Sequence, residues 1–453
     1  MKNSSDYIKY VSIFAFLFLG FFSLPASAQQ VITLRESIEL AQKNNLQVKQ
    51  ALFQAALTEQ DVKQAKMNFY PRVNAGMDGN LRWGKSFDQL TGGLTESITS
   101  LNGSVNASVP IFQGFQRVNE VAANKYLLLA DQTNTERIQS DLVLAVVTTY
   151  LEALTNQDLL TAGKQQLTLS KEQLQAEEIN FEVGNRTLAD LSQAKSQVAT
   201  DELNVTSAQN AYDISILDLK QLMELDPSTE IVLEQPPLPE FENITTAYSA
   251  EEVYLEAKSI YPEIKQASYN TLAAEKNIDI VKGGYYPTLS LSGGLGSGYS
   301  SADKDYTTGV ERPFHQQIDD NFSTFVGLSL SIPIFNNFQT RIAVKKAKIS
   351  YENALLGERQ AENNLSKVIH QAVVDLRAAE KSYYSNEQAF EASKQAFEVI
   401  KQRYEVGLAN SIELNTSQTN MNKAEFDLIQ AKYNLIFRSK VIDFYLGKPI
   451  TFN

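Results

Sequence analysis

One stretch of the chain matches the phosphate-binding P-loop pattern completely: Gly79-Asn80-Leu81-Arg82-Trp83-Gly84-Lys85-Ser86. A working P-loop follows a buried parallel strand and opens a helix whose N-terminus holds the phosphate. Here the residues before the motif alternate between apolar and polar side chains, and residues 87–99 after it are rich in turn formers. No apolar strand ending in aspartate follows to bind magnesium. We therefore interpret the stretch as part of a β-strand that runs toward a loop.

The other residues that could do chemistry lack the partners that the chemistry needs. The glycine run 293–298 resembles a dinucleotide loop but has no βαβ frame. His315 and His370 have no third ligand at metal spacing, and the Gly-x-Ser-x-Gly signature of hydrolases is missing. The absence of cysteine excludes thiolate metal sites, disulfides and a lipidated N-terminal cysteine. We predict a protein that is not an enzyme, with no catalytic residues, cofactor or bound metal.

Two repeated valine–glycine pairs are stronger candidates for a functional surface: Val183-Gly184 and Val406-Gly407. Glycine commonly closes a helix in the left-handed conformation, so one interpretation is turn chemistry alone. The other is that Val183, Val406 and Leu408 are exposed and form an apolar docking surface at the end of a long helical rod. Both interpretations predict the tips of helical hairpins at these positions.

A carboxylate follows each pair one turn later, Asp190 in the first copy and Glu413 in the second. Subtracting residue numbers gives a separation of 223 for these acids and for the valine–glycine pairs. If several chains surround one axis, the acids would form a ring, and like charges held close together resist contraction and favour cations. The alternative is a solvated helix face. We predict that Asp190 and Glu413 lie at an aperture.

A proline-free segment, 111–226, must position the first valine–glycine pair. Proline breaks helix interiors, so this Leu/Ala/Gln/Glu/Lys-rich segment indicates sustained helix. Its first arm, 116–181, would contain about 66 residues and span about 99 Å. Apolar residues recur at the three-four spacing of a coiled-coil seam. Since the same pattern recurs 223 positions later, we predict two tandem repeats, each with a hairpin of long antiparallel helices.

Two further segments, about 72–109 and about 288–332, alternate between apolar residues and Ser, Asn or Gly, and each predicts two strands. A soluble sheet would carry Lys and Glu on its polar face, so this composition favours a lipid-facing wall around a wet lumen. Four strands cannot close a barrel, and an open edge in lipid leaves backbone groups unsatisfied. Several chains must therefore share one barrel, and because a barrel with an aqueous lumen needs roughly 12 strands or more, a trimer is favoured over a dimer. The predicted fold is an α+β membrane protein of two tandem repeats, each with long antiparallel helices and two strands, in which a trimer would form a barrel of about 12 strands.

The domain organisation follows from these elements. Residues 1–28 have the charged end, apolar core and small-residue cleavage site of a secretory signal peptide. The net charge of −13 argues against a nucleic-acid partner, because phosphate binding needs clustered Lys and Arg. The remaining expected segments are a first repeat at 29–226 with long helices at about 116–225, a proline-rich connector at 227–247, and a second repeat at 248–453 with long helices at about 339–446.

The combined pattern resembles the TolC-like outer-membrane efflux protein family. The resemblance covers nearly the whole mature chain and rests on the duplicated Tyr/Phe-x-Val-Gly turns, Pro-Ile-Phe after the second strand of each repeat, Tyr-Pro before the first strand, and the signal peptide. It implies a homotrimer in the lipid of the cell outer membrane with a periplasmic helical tunnel. Such a protein is the passive exit duct of a tripartite efflux pump or of a type I secretion system.

The resemblance also implies partners and site residues. An inner-membrane transporter would supply the energy, and a periplasmic adaptor (membrane fusion) protein would contact the tips. A soluble periplasmic coiled-coil adaptor or scaffold is the alternative from another class, but adaptors have one helical hairpin, whereas this sequence predicts two hairpins and two strand pairs. The residues carried over are Val183, Gly184, Val406, Gly407 and Leu408 for the adaptor contact and Asp190 and Glu413 for the aperture.

Overall fold

A computed structural model describes residues 30–87, 94–235, 246–305 and 307–450 of the chain. The predicted signal peptide, 1–28, lies outside the described residues. The chain divides into two compact units. The helical unit comprises Met1–Val48, Gln139–Ala257 and Val368–Asn453, and the sheet unit comprises Lys49–Ile138 and Lys258–Lys367.

Long helices and a few strands make up the described residues. The helices are α1 (Leu34–Asn44), α2 (Leu46–Met67), α3 (Gln116–Glu182), α4 (Leu188–Leu222), α5 (Ala250–Ile260), α6 (Pro262–Lys282), α7 (Phe314–Asp320), α8 (Gln339–Glu405) and α9 (Ser411–Tyr445). The strands are β1 (Gln30–Ile32), β2 (Arg72–Phe87), β3 (Leu94–Gln113), β4 (Ile231–Leu233), β5 (Thr288–Ser300) and β6 (Ser323–Ser331).

The long helices come in two copies of equal length. Helices α3 and α8 contain 67 residues each, which corresponds to about 100 Å at about 1.5 Å per residue. Helices α4 and α9 contain 35 residues each. The predicted pair of long hairpins is therefore present, although α4 ends at Leu222, slightly before the predicted Leu225.

The sheet unit contains a four-stranded antiparallel sheet in the order β2-β3-β5-β6, so β2 and β6 are its edges. Val105 on β3 lies opposite Ala75 on β2 and Leu295 on β5, which places alternate residues of neighbouring strands on one face. The other face carries Asn106 and its alternating Ser, Asn and Gly neighbours. The apolar sheet face is exposed at Val73, Met77, Leu81, Val105, Leu291, Leu295, Val326, Leu328 and Leu330.

Both nucleotide-like motifs lie inside this sheet. The P-loop match, residues 79–86, belongs to β2, which pairs antiparallel with β3. The glycine run 293–298 belongs to β5, which also pairs antiparallel with β3. As expected, neither motif opens a helix after a parallel strand, so neither forms the phosphate-binding turn that its pattern describes.

The segment between β5 and β6 has structure of its own. It leaves the sheet at Ser300 and ends in helix α7. Internal polar contacts hold it together, including an ion pair between Arg312 and Asp303.

In the helical unit, the core includes apolar residues of α4 and α9, among them Leu219, Leu435 and Ile442, which are at most 1% exposed. Strands β1 and β4, which pair in parallel, were not predicted. Each contains three residues, too few for a periodic signal, and they lie about 200 positions apart in the sequence. The buried Tyr150 hydroxyl of α3 joins this pair to the helices by donating to the Glu234 backbone oxygen at 2.7 Å.

Candidate functional site at the hairpin tips

Both helical hairpins end in the same type of turn. Gly184 has a φ of 79° and Gly407 a φ of 77°, in the left-handed region where glycine carries no Cβ penalty. In the first turn, the Asn185 N–H donates to the Asn180 backbone oxygen at 2.8 Å. In the second, the Leu408 N–H donates to the backbone oxygen five residues earlier at 2.7 Å. Both helices therefore end in the glycine-closed Schellman arrangement.

The predicted contact residues project from these turns. Val183 is 65% exposed, Val406 70% and Leu408 70%. Ile412, at the start of α9, is exposed as well. A turn needs glycine but has no need of exposed branched side chains beside it. The geometry therefore supplies a small apolar surface at each tip.

Asp190 is the third residue of α4 and caps that helix. Its carboxylate accepts from the Thr187 backbone N–H at 3.0 Å and from the Thr187 hydroxyl at 2.7 Å. The Thr187 hydroxyl in turn accepts from the Asp190 N–H, which completes a capping box. Hydrogen bonds from Ser411 and then from Thr187 hold the pKa of Asp190 below its usual value.

Glu413 occupies the matching position in the second hairpin. Its backbone N–H donates to Asn410 Oδ1 at 2.8 Å, and Asn410 Nδ2 donates to Glu413 Oε1 at 3.0 Å. Its side chain is exposed. Both predicted aperture acids therefore have a local task, because each stabilises the first turn of its helix.

Three residues that the sequence analysis did not assign bind the two tips together: Glu177, Arg186 and Tyr404. The Tyr404 hydroxyl donates to Glu177 Oε1 at 2.8 Å. The Arg186 guanidinium lies over the Tyr404 ring at 4.0 Å from its centroid, and its Nη2 donates to the Tyr404 backbone oxygen at 3.2 Å. Arg186 Nε also pairs with Glu177 Oε2 at 3.7 Å. We call these three residues the tip clamp.

Two residues of the tip clamp are nearly removed from water, and the Arg186 side chain is 22% exposed. Glu177 is 3% exposed and Tyr404 5%. Burial, followed by the hydrogen bond to Glu177, raises the pKa of Tyr404, so its hydroxyl remains protonated and available as a donor. Glu177 Oε2 has no hydrogen-bond donor among the described residues, and Arg186 is the cation that pairs with it. A buried carboxylate held this way becomes costly when its cation is removed.

In the sequence, the tip-clamp residues are marked by positions at which the two repeats differ. Shifted by 223 positions, Glu177 corresponds to Ile400, Arg186 to Ala409, and Tyr404 to Phe181. The positions at which the two copies agree predict the turns. The positions at which they disagree hold the polar side chains that join the two hairpins.

A cavity of about 660 Å³ lies beside the tip clamp. Phe397 and Leu414 pack with Tyr404 in one buried cluster at its wall, while Glu172 and Lys401 add charged groups to the lining. In the described part of the chain, no group of His, Asp and Glu residues has metal-binding geometry. The helices of that same part include none with the length and apolarity of a membrane span.

Comparison with known proteins gives this architecture a family. The model of the family described as outer membrane efflux protein matches residues 37–224 and 253–448. The chain belongs to the outer membrane efflux protein family. The resemblance to TolC-like proteins is thereby confirmed, as is the predicted location in the cell outer membrane.

The matches to these known proteins extend over most of this chain and most of each matched protein. The outer membrane efflux protein BepC of Brucella suis is 21% identical over 90% of this chain and 83% of its own length. The outer membrane protein TolC of Vibrio cholerae is 24% identical over 91% of this chain and 90% of its own. The solved structure of CusC, which forms a transmembrane channel, is similar in fold, with a TM-score of 0.78, 16% identity and coverage of 94% and 96% of the two chains.

Proposed function

We propose that this outer membrane efflux protein is the exit duct of a tripartite efflux pump. Three copies would pair the β6 edge of one chain with the β2 edge of the next and close a barrel of about 12 strands. The carrying observation is the sheet itself, which exposes one continuous apolar face and has two unpaired edges. In water, such a sheet would promote aggregation through its apolar face and unpaired edges. In a closed barrel the edges pair and the apolar face contacts lipid.

The division of the chain predicted above belongs to the same proposal. The first repeat is assigned to 29–226 and the second to 248–453, with the connector 227–247 between them and a signal peptide at 1–28. The two family matches, 37–224 and 253–448, support this division. The chain would conduct passively and carry out no reaction, and its long helices would form a periplasmic tunnel below the barrel.

Mass and conductance test this assembly. Purified from outer membranes in detergent, the protein should have the mass of three mature chains by light scattering, each smaller than the full-length 50.5 kDa because residues 1–28 are removed, and it should form discrete channels in planar bilayers. A chain recovered from the soluble periplasmic fraction as a monomer would contradict the duct and support the scaffold alternative. Cross-linking followed by identification of the co-purified inner-membrane transporter distinguishes drug or metal efflux from type I protein secretion.

The tips are proposed to meet the adaptor and to form the aperture. The exposed Val183, Val406 and Leu408 support the contact, with Gly184 and Gly407 setting the turns. In a trimer, Asp190 and Glu413 would supply six carboxylates near the closed end. The aperture role is tested by replacing both acids with their uncharged amides, Asp190→Asn and Glu413→Gln. These replacements remove the charge and preserve most of the capping geometry. The bilayer channels should lose cation preference, and unchanged selectivity would remove the aperture assignment.

A further inference from the structure

The segment between β5 and β6 folds back over the apolar sheet face and leaves a groove beneath helix α7. This groove encloses about 600 Å³, within the range of about 300–1,000 Å³ that small-molecule sites occupy. Every residue that lines it is uncharged. The larger side chains around it are Met77, Leu101, Val105, Leu295, Phe314 and Phe322.

Helix α7 is fixed above the sheet by polar contacts. Gln317 is fully buried; it accepts from the Ser300 backbone N–H at 2.8 Å and donates to the Arg312 backbone oxygen at 2.8 Å. Asn321 Nδ2 donates to the Gly298 backbone oxygen at 2.7 Å. A buried amide whose two ends are both satisfied specifies one position. The roof of the groove is therefore held in place and does not merely rest on the sheet.

The charges of this segment are arranged away from the groove. Arg312 pairs with both Asp303 and Asp320, which leaves this cation engaged within the loop. The mouth of the groove is instead flanked by Phe314 and Phe322, which are 52% and 57% exposed. The groove opens onto the same apolar face on which Val326 is exposed, so its walls continue that face.

We propose that the groove binds an acyl chain of an outer-membrane lipid, an inference that rests on the proposed function because the duct places the apolar sheet face in lipid. An acyl chain is uncharged and apolar, as is most of the lining of this groove, which continues a lipid-facing wall. A second copy of the protein is a poorer match, since copies join through the β2 and β6 edges. The loop charges at one end of the groove would then lie near the lipid headgroups.

A photoactivatable lipid tests the assignment directly. The full-length protein is reconstituted in nanodiscs that contain phosphatidylethanolamine with a diazirine in one acyl chain, illuminated, and mapped by mass spectrometry. We expect label on Val326 and Leu328 of the open face and, in addition, on Leu101 and Phe314 of the groove. The open-face label reports the proposed function, and the groove label reports the site.

A glycine on β3 offers a variant that fills the groove. A Cβ built at Gly103 meets nothing within 4 Å, and Gly103 lines the groove, so Gly103→Leu should occupy the cleft without moving the backbone. It should lower the groove label at least fivefold and leave the Val326 label unchanged. Gly327→Leu is the matched control, because its Cβ lies on the opposite face, 3.8 Å from Ser292 Oγ, and should change neither label.

The outcomes separate the site from the duct. Label on Val326 and Leu328 without label in the groove would overturn the lipid site and leave the duct intact, and protection of the groove by a second copy would give that result. Groove label that persists in Gly103→Leu would show general lipid contact and also overturn the site. Absence of label from the whole apolar face would overturn the proposed function itself.

Discussion

The two hairpin tips share a backbone and differ in side chains. Both turns have a glycine near φ 78° and a capped helix after it, yet only the first carries Arg186 and only the second carries a buried tyrosine, Tyr404. The shared backbone gives the two long helices, α3 and α8, the same length. The tip clamp depends on side chains that differ between the copies, because Arg186 and Glu177 of the first tip bind Tyr404 of the second. Two identical tips would lack this combination of residues. The duplication supplies the architecture, and the divergence of the copies supplies the contact between them.

The largest expected effect comes from removing the cation of the tip clamp. Arg186→Ala should lower the free energy of local opening at the tips by about 3 kcal/mol, because it leaves the Glu177 carboxylate buried and unpaired. Hydrogen exchange of the turn amides, including those of Asn185 and Leu408, measures this opening. In the proposed duct, the same variant should raise the closed-state leak in bilayers.

A matched arginine at the second tip provides the control for that variant. Arg403 is exposed and donates through Nη2 to the Leu408 backbone oxygen at 3.0 Å. Arg403→Ala should cost only about 0.5 kcal/mol, as is usual for an exposed position. If both arginine variants lower the free energy of local opening equally, the tip clamp does not stabilise the tips more than the exposed Arg403 does.

Tyr404→Phe should have the next largest effect. It removes the hydroxyl that donates to Glu177 and makes the second tip resemble the first, where Phe181 stands. A hydrogen bond to a charged group contributes about 1.5–3 kcal/mol, and we expect a loss in that range. A double-mutant cycle with Arg186→Ala measures their coupling through Glu177. Strictly additive effects would show that the hydroxyl and the guanidinium act on Glu177 independently.

Acid should loosen the first tip through Asp190. Its pKa in the folded tip lies below the usual 3.8, so an opened tip binds the proton more readily. Its contribution to stability is therefore present above pH 3.8 and lost as the pH falls through the lower folded value. Hydrogen exchange followed from about pH 5 to about pH 3 should show this loss, and Asp190→Asn should remove that part of the dependence. Glu413→Gln is the control for loss of a charge at the other cap.

The sequence was informative wherever a pattern repeats along the chain. Alternation predicted the strands of the sheet, proline-free apolar spacing predicted α3 and α8, and the duplicated glycines predicted both turns. It failed where a contact joins residues distant in sequence. The β1–β4 pair and the Gln317 anchor of α7 carry no local period, and the tip clamp uses side chains whose types are unremarkable until Glu177 is found buried beside Arg186.

Alanine at the turn glycines should cost about 1–2 kcal/mol at each tip, because a Cβ is strained in the left-handed region. Gly184→Ala and Gly407→Ala should have equal effects, since neither Cβ would meet an atom within 4 Å. Thermal unfolding and turn-amide exchange measure the loss. Gly357→Ala, inside α8 and equally uncrowded, is the control and should stabilise the helix slightly. Unequal losses at the two turns would show that the clamp strains one backbone more than the other.

The smallest effect on stability and the most specific effect on partner binding are expected from the exposed valines. Val183→Ser and Val406→Ser should change the free energy of unfolding by less than about 0.5 kcal/mol, because these side chains are exposed. Binding of the proposed adaptor, measured on the sensor-immobilised protein, should weaken severalfold, while Val374→Ser, which alters a similarly exposed valine within α8, should leave it unchanged. Equal losses for the two tip variants would mean that the adaptor contacts the tips as equivalent repeats. A loss confined to one would mean that the side-chain asymmetry which builds the clamp also directs the partner, since the turn backbones themselves offer the adaptor no difference to recognise.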